Sequence, residues 1–138
     1  MPIAIDEQTM LRLRKMKKIY SVTLDQTEVA ATYDVAEATG ALLITNVALH
    51  QIVAAVSTGA ATVAIIINHT TATEILTTTA IAGLTVDTRI AATLAEPILM
   101  LADDKIQMVI GTETISAGTM QLVVEYEEVQ LNAKLQGL

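Results

Sequence analysis

Residues 42–68 read LLITNVALHQIVAAVSTGAATVAIIIN, and how this stretch is folded decides the architecture. In 42–53, Leu43, Thr45, Val47, Leu49, Gln51 and Val53 alternate with Ile44, Asn46, Ala48, His50 and Ile52. A period of two is the signature of a strand with one buried face. The first set is mainly apolar and reads as the core face; the second is mixed. After Ser57–Ala60, a short turn in which Gly59 can take a positive φ, the run TVAIIIN places Val63, Ile65 and Ile67 on one face and Ala64, Ile66 and Asn68 on the other. Both of those faces are largely apolar, which suits a strand covered on both sides. Segments 42–56 and 61–68 are thus expected to pair as a long hairpin.

The same grammar extends in both directions. IYSVTLD and EVAATYDV are β-branched and aromatic runs that read as strands, with a turn at EATG. A further strand and a loop near Gly83 follow in TEILTTTAIAGL. Pro97 excludes a central strand position in TRIAATLAEPILML, since proline cannot donate to a ladder. ADD at 102–104 is a turn before KIQMVIGTE, where Ile106, Met108 and Ile110 align. SAGT reads as the next turn. In MQLVVEYEEVQL, Leu122, Val124 and Tyr126 point inward, and Gln121, Glu125 and Glu127 point to solvent. Seven to nine short strands with regularly spaced turns predict an all-β antiparallel sandwich of jelly-roll or Ig-like type, the jelly roll being preferred. The many threonines suit solvent-facing strand positions, being β-branched yet polar; TTATEILTTT has no regular period and reads as strand surface.

Residues 1–18 differ from the rest. Asp6 is a plausible N-cap, Glu7 falls in a first turn, and Met10, Leu13 and Met16 recur at spacing three, so a short helix or arm is expected over 7–17. The expected domain plan is an arm at 1–18, a sandwich at 19–131 and a weakly patterned tail at 132–138.

Composition sets limits on function. The chain has 138 residues, enough for one domain with one core. It is 52% hydrophobic but has no Phe or Trp and three Tyr, so Val, Ile, Leu, Ala and Met must build the core. Charged residues make up only 17% and mean hydropathy is +0.52, which argues for surface hidden in an assembly. Without cysteine there is no disulfide, thiolate zinc site or Cys nucleophile. No signal peptide or membrane-length apolar run is read, which points to a soluble protein made in a cytoplasm. Net charge is −7 but unevenly placed. Arg12, Arg14, Lys15, Lys17 and Lys18 against Asp6 and Glu7 make residues 1–18 +3; three basic and thirteen acidic groups make the remainder −10. Such an acidic body disfavours nucleic-acid phosphate contacts.

Catalytic constellations are weak. A hairpin turning at 57–60 would set His50 opposite about Ile67, with His69 two positions further on, so a metal pair is geometrically conceivable. No His-x-His and no third ligand accompany it, and the histidines read as surface or turn residues. Asp103–Asp104 lacks the pattern of a calcium loop. Glu125, Glu127 and Glu128 read as a solvated acidic edge that discourages edge-to-edge pairing. Ser57 and Ser116 lack a nucleophile-elbow context. No catalytic, cofactor or metal residue is assigned.

The order of elements, from an N-terminal arm through LLITNVALHQIVAAVSTGAATVAIIIN, AEPILML, DDKIQMVIG and AGTMQLVVEYEEV, resembles small virion proteins of tailed bacteriophages, above all head-decoration or cement proteins of β-sandwich type. That resemblance implies a non-enzymatic role on the outside of a capsid, bridging major capsid subunits, often as a trimer. Related sandwiches in head fibres and tails leave a receptor- or glycan-binding module as the alternative, and a cupin-like metal enzyme as a more remote one. On the decoration reading, Met10, Arg12, Leu13, Arg14, Lys15, Met16, Lys17 and Lys18 would touch a neighbouring subunit. Ala64, Ile66, Ile44 and Ile52 would serve self-association, with no direct nucleic-acid or membrane partner.

Overall fold

The computed structural model describes residues 17–138 except 58, 69–71, 81–83, 93 and 95, and the side chains of 77, 78 and 80 are outside the description. The expected helix or arm, including Met10, Arg12, Leu13, Arg14, Lys15 and Met16, lies outside the described residues, as do His69 and Gly83.

Ten strands are present among the described residues: β1 (Lys18–Asp25), β2 (Ala31–Ala38), β3 (Leu42–Ser57), β4 (Thr62–Asn68), β5 (Ala72–Ala80), β6 (Arg89–Ala91), β7 (Ile98–Met100), β8 (Lys105–Gly111), β9 (Ile115–Glu128) and β10 (Leu135–Gly137). They form two antiparallel sheets. Sheet A runs β1-β9-β3-β6, with β7 also pairing β3; sheet B runs β10-β2-β8-β4-β5. β6 lies opposite Ala48–His50 and β7 opposite Leu42–Ile44, so the two form one interrupted edge strand along β3. Counted this way, consecutive strands alternate between sheets except at the β4–β5 hairpin. That is the order of a jelly roll, two Greek keys folded into a sandwich. The all-β sandwich expected from the alternating pattern is therefore present.

The decisive stretch does not fold as a hairpin. β3 pairs with β9, β6 and β7 in sheet A, whereas β4 pairs with β8 and β5 in sheet B. The turn after Ser57 carries the chain from one sheet to the other. β9 and β8 take the positions beside β3 and β4 that a hairpin would need. Side by side β3 and β4 would share one sheet face, whereas in opposite sheets Val47 and Leu49 contribute to the same interior as Val63, Ile65 and Ile67.

The core follows the alternation. Ile106, Met108 and Ile110 of β8 are buried, as are Met120, Leu122, Val124 and Tyr126 of β9. Each fully buried aliphatic side chain contributes roughly 1.5–3 kcal/mol relative to exposure. In β3 the phase changes. Leu42 and Ile44 are fully buried, the register slips between Ile44 and Asn46, and Val47, Leu49 and Gln51 then point inward. One extra residue in a bulge moves every following side chain to the opposite face. Leu43, expected inside, is therefore half-buried on the outside, and Ile44, expected outside, is in the core.

Other expectations are corrected nearby. Ser116–Thr119 is not a turn but part of β9, which bends at Gly118 with φ +146°; the reversal lies at Thr112–Thr114, where Thr112 has φ 74°. β9 is flanked by β1 and β3, so Glu125, Glu127 and Glu128 lie on an inner strand of sheet A and not on an edge. The tail is structured as well: Leu135–Gly137 pair with Ala36–Ala38, and Ala133 and Leu135 are buried.

Candidate assembly surfaces

A buried amide pair fixes one end of the sandwich. Gln26 and Gln51 are both fully buried. Their carboxamides bond reciprocally; Gln51 Nε2 also donates to Val53 O (2.6 Å), and Gln26 Nε2 lies 3.4 Å from Met120 Sδ. The backbone of Gln26 donates to Gly118 O (3.0 Å). A Cβ at Gly118 would stand 2.6 Å from Gln26 Oε1 and 3.1 Å from Ala55 Cα, so the close approach needs glycine. Around this end Val29, Ile52, Val53, Val56 and Val86 are all at least 42% exposed.

The opposite end is where β1 begins. Lys18 pairs with Tyr126 across the ladder, and its ammonium meets the carboxylate of Glu128, whose side chain is only 7% exposed. Lys18, expected to touch a partner, is thus engaged within its own sheet, while Lys17 is exposed. The other six residues of the expected arm contact are not described.

The four residues expected to serve self-association do not share a face. Ile44 is in the core, fully buried, and is removed from any outer surface. Ile52 is 42% exposed near the end of β3 in sheet A. Ala64 (6% exposed) and Ile66 (half-buried) lie on the outer face of sheet B, in rows with Val109 and Gln107. The hairpin expectation had joined them; the crossing between sheets separates them.

That face of sheet B is organised by a charge cluster. Asp34 accepts from Gln107 Nε2 (2.6 Å) and from Lys105 Nζ (3.2 Å). The Gln107 bond, with help from Lys105, holds the Asp34 carboxyl below the usual aspartate range. Asp25, in an Asx turn, is lowered likewise by the backbone N–H of Thr27 (2.9 Å). Tyr20, facing the interior from β1, is raised by burial.

His50 sits on the outer face of sheet A, with Nε2 3.2 Å from Asp87 Oδ1 and Arg89 opposite it in the ladder. It does not lie across from Ile67, because β3 and β4 are in different sheets. Asp104 Oδ2 caps the turn by accepting from Leu101 N (2.8 Å). Among the described residues no group of three His, Asp or Glu side chains converges as a metal site would require. The described surface is built from sheet faces and apolar ends.

A two-sheet jelly roll with exposed apolar ends is a scaffold class shared by capsid proteins, lectins and cupins. Comparison with solved structures narrows the likeness. Over 88% of its length this chain superposes on 98% of a chain in the acidic stable capsid structure of Helicobacter pylori bacteriophage KHP30, with a TM-score of 0.57 and 16% identity. At that identity the shared property is the fold. A chain in the structure of infectious bursal disease virus Gx strain is matched over 39% of its length, with a TM-score of 0.31 and 12% identity, and carries no argument. No protein-family model matches this chain, and no curated protein matches it in sequence.

Proposed function

We propose that this chain is a non-enzymatic virion structural protein that decorates and stabilises a bacteriophage capsid. The observation that carries the reading is the end-to-end likeness to a chain of a phage capsid structure, 98% of which is covered. The likeness takes in 88% of this chain and leaves almost none of that chain over. The surface supports the same reading: the described residues offer apolar ends and sheet faces for contact.

On this reading the protein sits on the capsid exterior as a homotrimer, made in the host cytoplasm, and bridges major capsid subunits. Its arm, Met10 to Lys17, contacts a neighbouring subunit through basic groups and a methionine–leucine stripe. Ile52 and the Ala64–Ile66 face supply contacts between copies. No chemistry is needed. A protein that binds the assembled lattice and not its dissociated subunits shifts the equilibrium toward assembly, by roughly 2.7 kcal/mol per site at a free concentration 100 times Kd.

The test is addition of purified protein to capsids that lack it. Saturable binding at symmetry-related positions in electron microscopy, with a raised capsid melting temperature, is expected. Capsids that stay bare and melt unchanged, while the protein binds glycans or cells, would replace this reading with that of a receptor-binding fibre or tail module.

A further inference from the structure

The outer face of sheet A carries an apolar patch at the end where β1 begins. Register places Glu127, Leu43 and Leu99 in one row across β9, β3 and β7. Just beyond it, Val129 N donates to Ala41 O (3.1 Å), continuing the β9–β3 pairing, and Leu101 follows β7. Leu99, Leu101 and Val129 are 51%, 42% and 48% exposed, and Glu125 lies two residues from Glu127 on the same face. An apolar centre with carboxylates along one side suits a ligand that is apolar and basic together.

Such a ligand is attached at the rim of the patch. Lys18 lies opposite Tyr126, so Lys17 enters beside the row of Glu127. The chain before it carries Met10, Leu13 and Met16 at spacing three, with Arg12, Arg14 and Lys15 between them. We infer that this patch receives residues 7–16 of a second copy of the chain. This rests on the arm reading above and names the neighbour that the arm reaches.

A second copy fits better than the chain's own arm for a local reason. Pairing with Tyr126 and the Lys18–Glu128 ion pair align the chain along β1. To cover its own patch the segment would have to reverse direction and cross β9 directly before Lys17. Leu11–Lys18, LRLRKMKK, contains no Gly, Pro, Asn, Asp or Ser, the residues that make such reversals cheap. Good helix formers fill it instead.

The absence of cysteine makes the test clean, because an introduced pair is the only pair of thiols. A Leu13→Cys/Leu99→Cys protein, oxidised mildly without capsids, should give covalent dimers and higher oligomers on a non-reducing gel. A disulfide-looped monomer would overturn the inference in favour of the chain's own arm, and no cross-link at all would overturn both. Independently, Leu99→Lys/Leu101→Lys and a chain lacking residues 1–16 should each weaken self-association by at least about tenfold in sedimentation, as loss of an interface anchor does. Both changes should leave the β-sheet circular dichroism of the sandwich intact, since the leucines are exposed and β1 begins after the deletion. Self-association equal to the parent in either protein, or a parent that is monomeric throughout, would sink the proposal. A chain that self-associates in this way yet leaves capsids bare would refute only the decoration reading. One that binds capsids as a monomer would refute only this inference.

Discussion

Gly118 and the Gln26–Gln51 pair show how much one residue can decide in a strand-rich chain. Gly118→Ala places a methyl group against Gln26 Oε1 and the Ala55 backbone at a φ that favours glycine. It should destabilise by about 1–3 kcal/mol, read from the urea midpoint. For the amide pair the prediction is a non-additive one. Gln51→Leu strands the buried Gln26 carboxamide and should cost about 1–3 kcal/mol, while Gln26→Leu/Gln51→Leu should cost less than the single change, because no carboxamide is left stranded and the part-buried Val53 carbonyl loses its donor in both. A double variant weaker than both singles would contradict the geometry. At Asp34 the lowered carboxyl makes folding favour the ionised form. That contribution is present above the ordinary aspartate pKa, about 3.9, and is lost as pH falls through the lower folded-state value. Asp34→Asn should therefore flatten the acid limb of the stability curve below about pH 4, and an unchanged acid limb in pH-dependent denaturation would refute the assignment.

Among the elements, the tail and the long β3 strand separate what sequence can reveal from what it conceals. Strands were legible wherever alternation was clean. Ile106, Met108 and Ile110, and Leu122, Val124 and Tyr126, face inward as read. Sheet membership was not legible, because Ser57–Ala60 has the same chemistry whether it closes a hairpin or crosses between sheets. That choice depends on β8 and β9, which arrive 40 or more residues later and occupy both sides of the pairing. The bulge at Ile44–Asn46 was hidden because Leu43–Ile44–Thr45 supports either phase. β10 was missed because LQG has almost no pattern; its order comes from the edge of β2. Of the expected contact surface, Ile52 and Ile66 are accessible in part, while Ile44 and Lys18 were claimed by core and ion pair. Leu135→Ala should cost about 2 kcal/mol, the low end for a buried leucine, because β10 is an edge. A loss below about 0.5 kcal/mol in thermal or urea unfolding would mean that the tail is dispensable.

For the whole molecule, the strand order imposes a schedule as well as a shape. The strand between β1 and β3 is β9, and the strand between β2 and β4 is β8. Each sheet is thus two early strands with a gap that only a late strand fills. Ile19 finds its partner at Glu125, and Thr32 finds its partner at Val109. A ribosome that has released residues through Gly111 holds a chain in which sheet A lacks its middle. Contacts so distant in sequence also make folding slow, on the millisecond-to-second scale of β-sandwiches. Ribosome-bound chains halted before Ile115 should accordingly remain protease-sensitive, and full-length released chains should not. On the assembly reading proposed above, this has a cellular consequence. On that reading, the exposed apolar ends of the sandwich come into being only once β8 and β9 have both been made, so chains halted earlier have nothing with which to enter a growing particle.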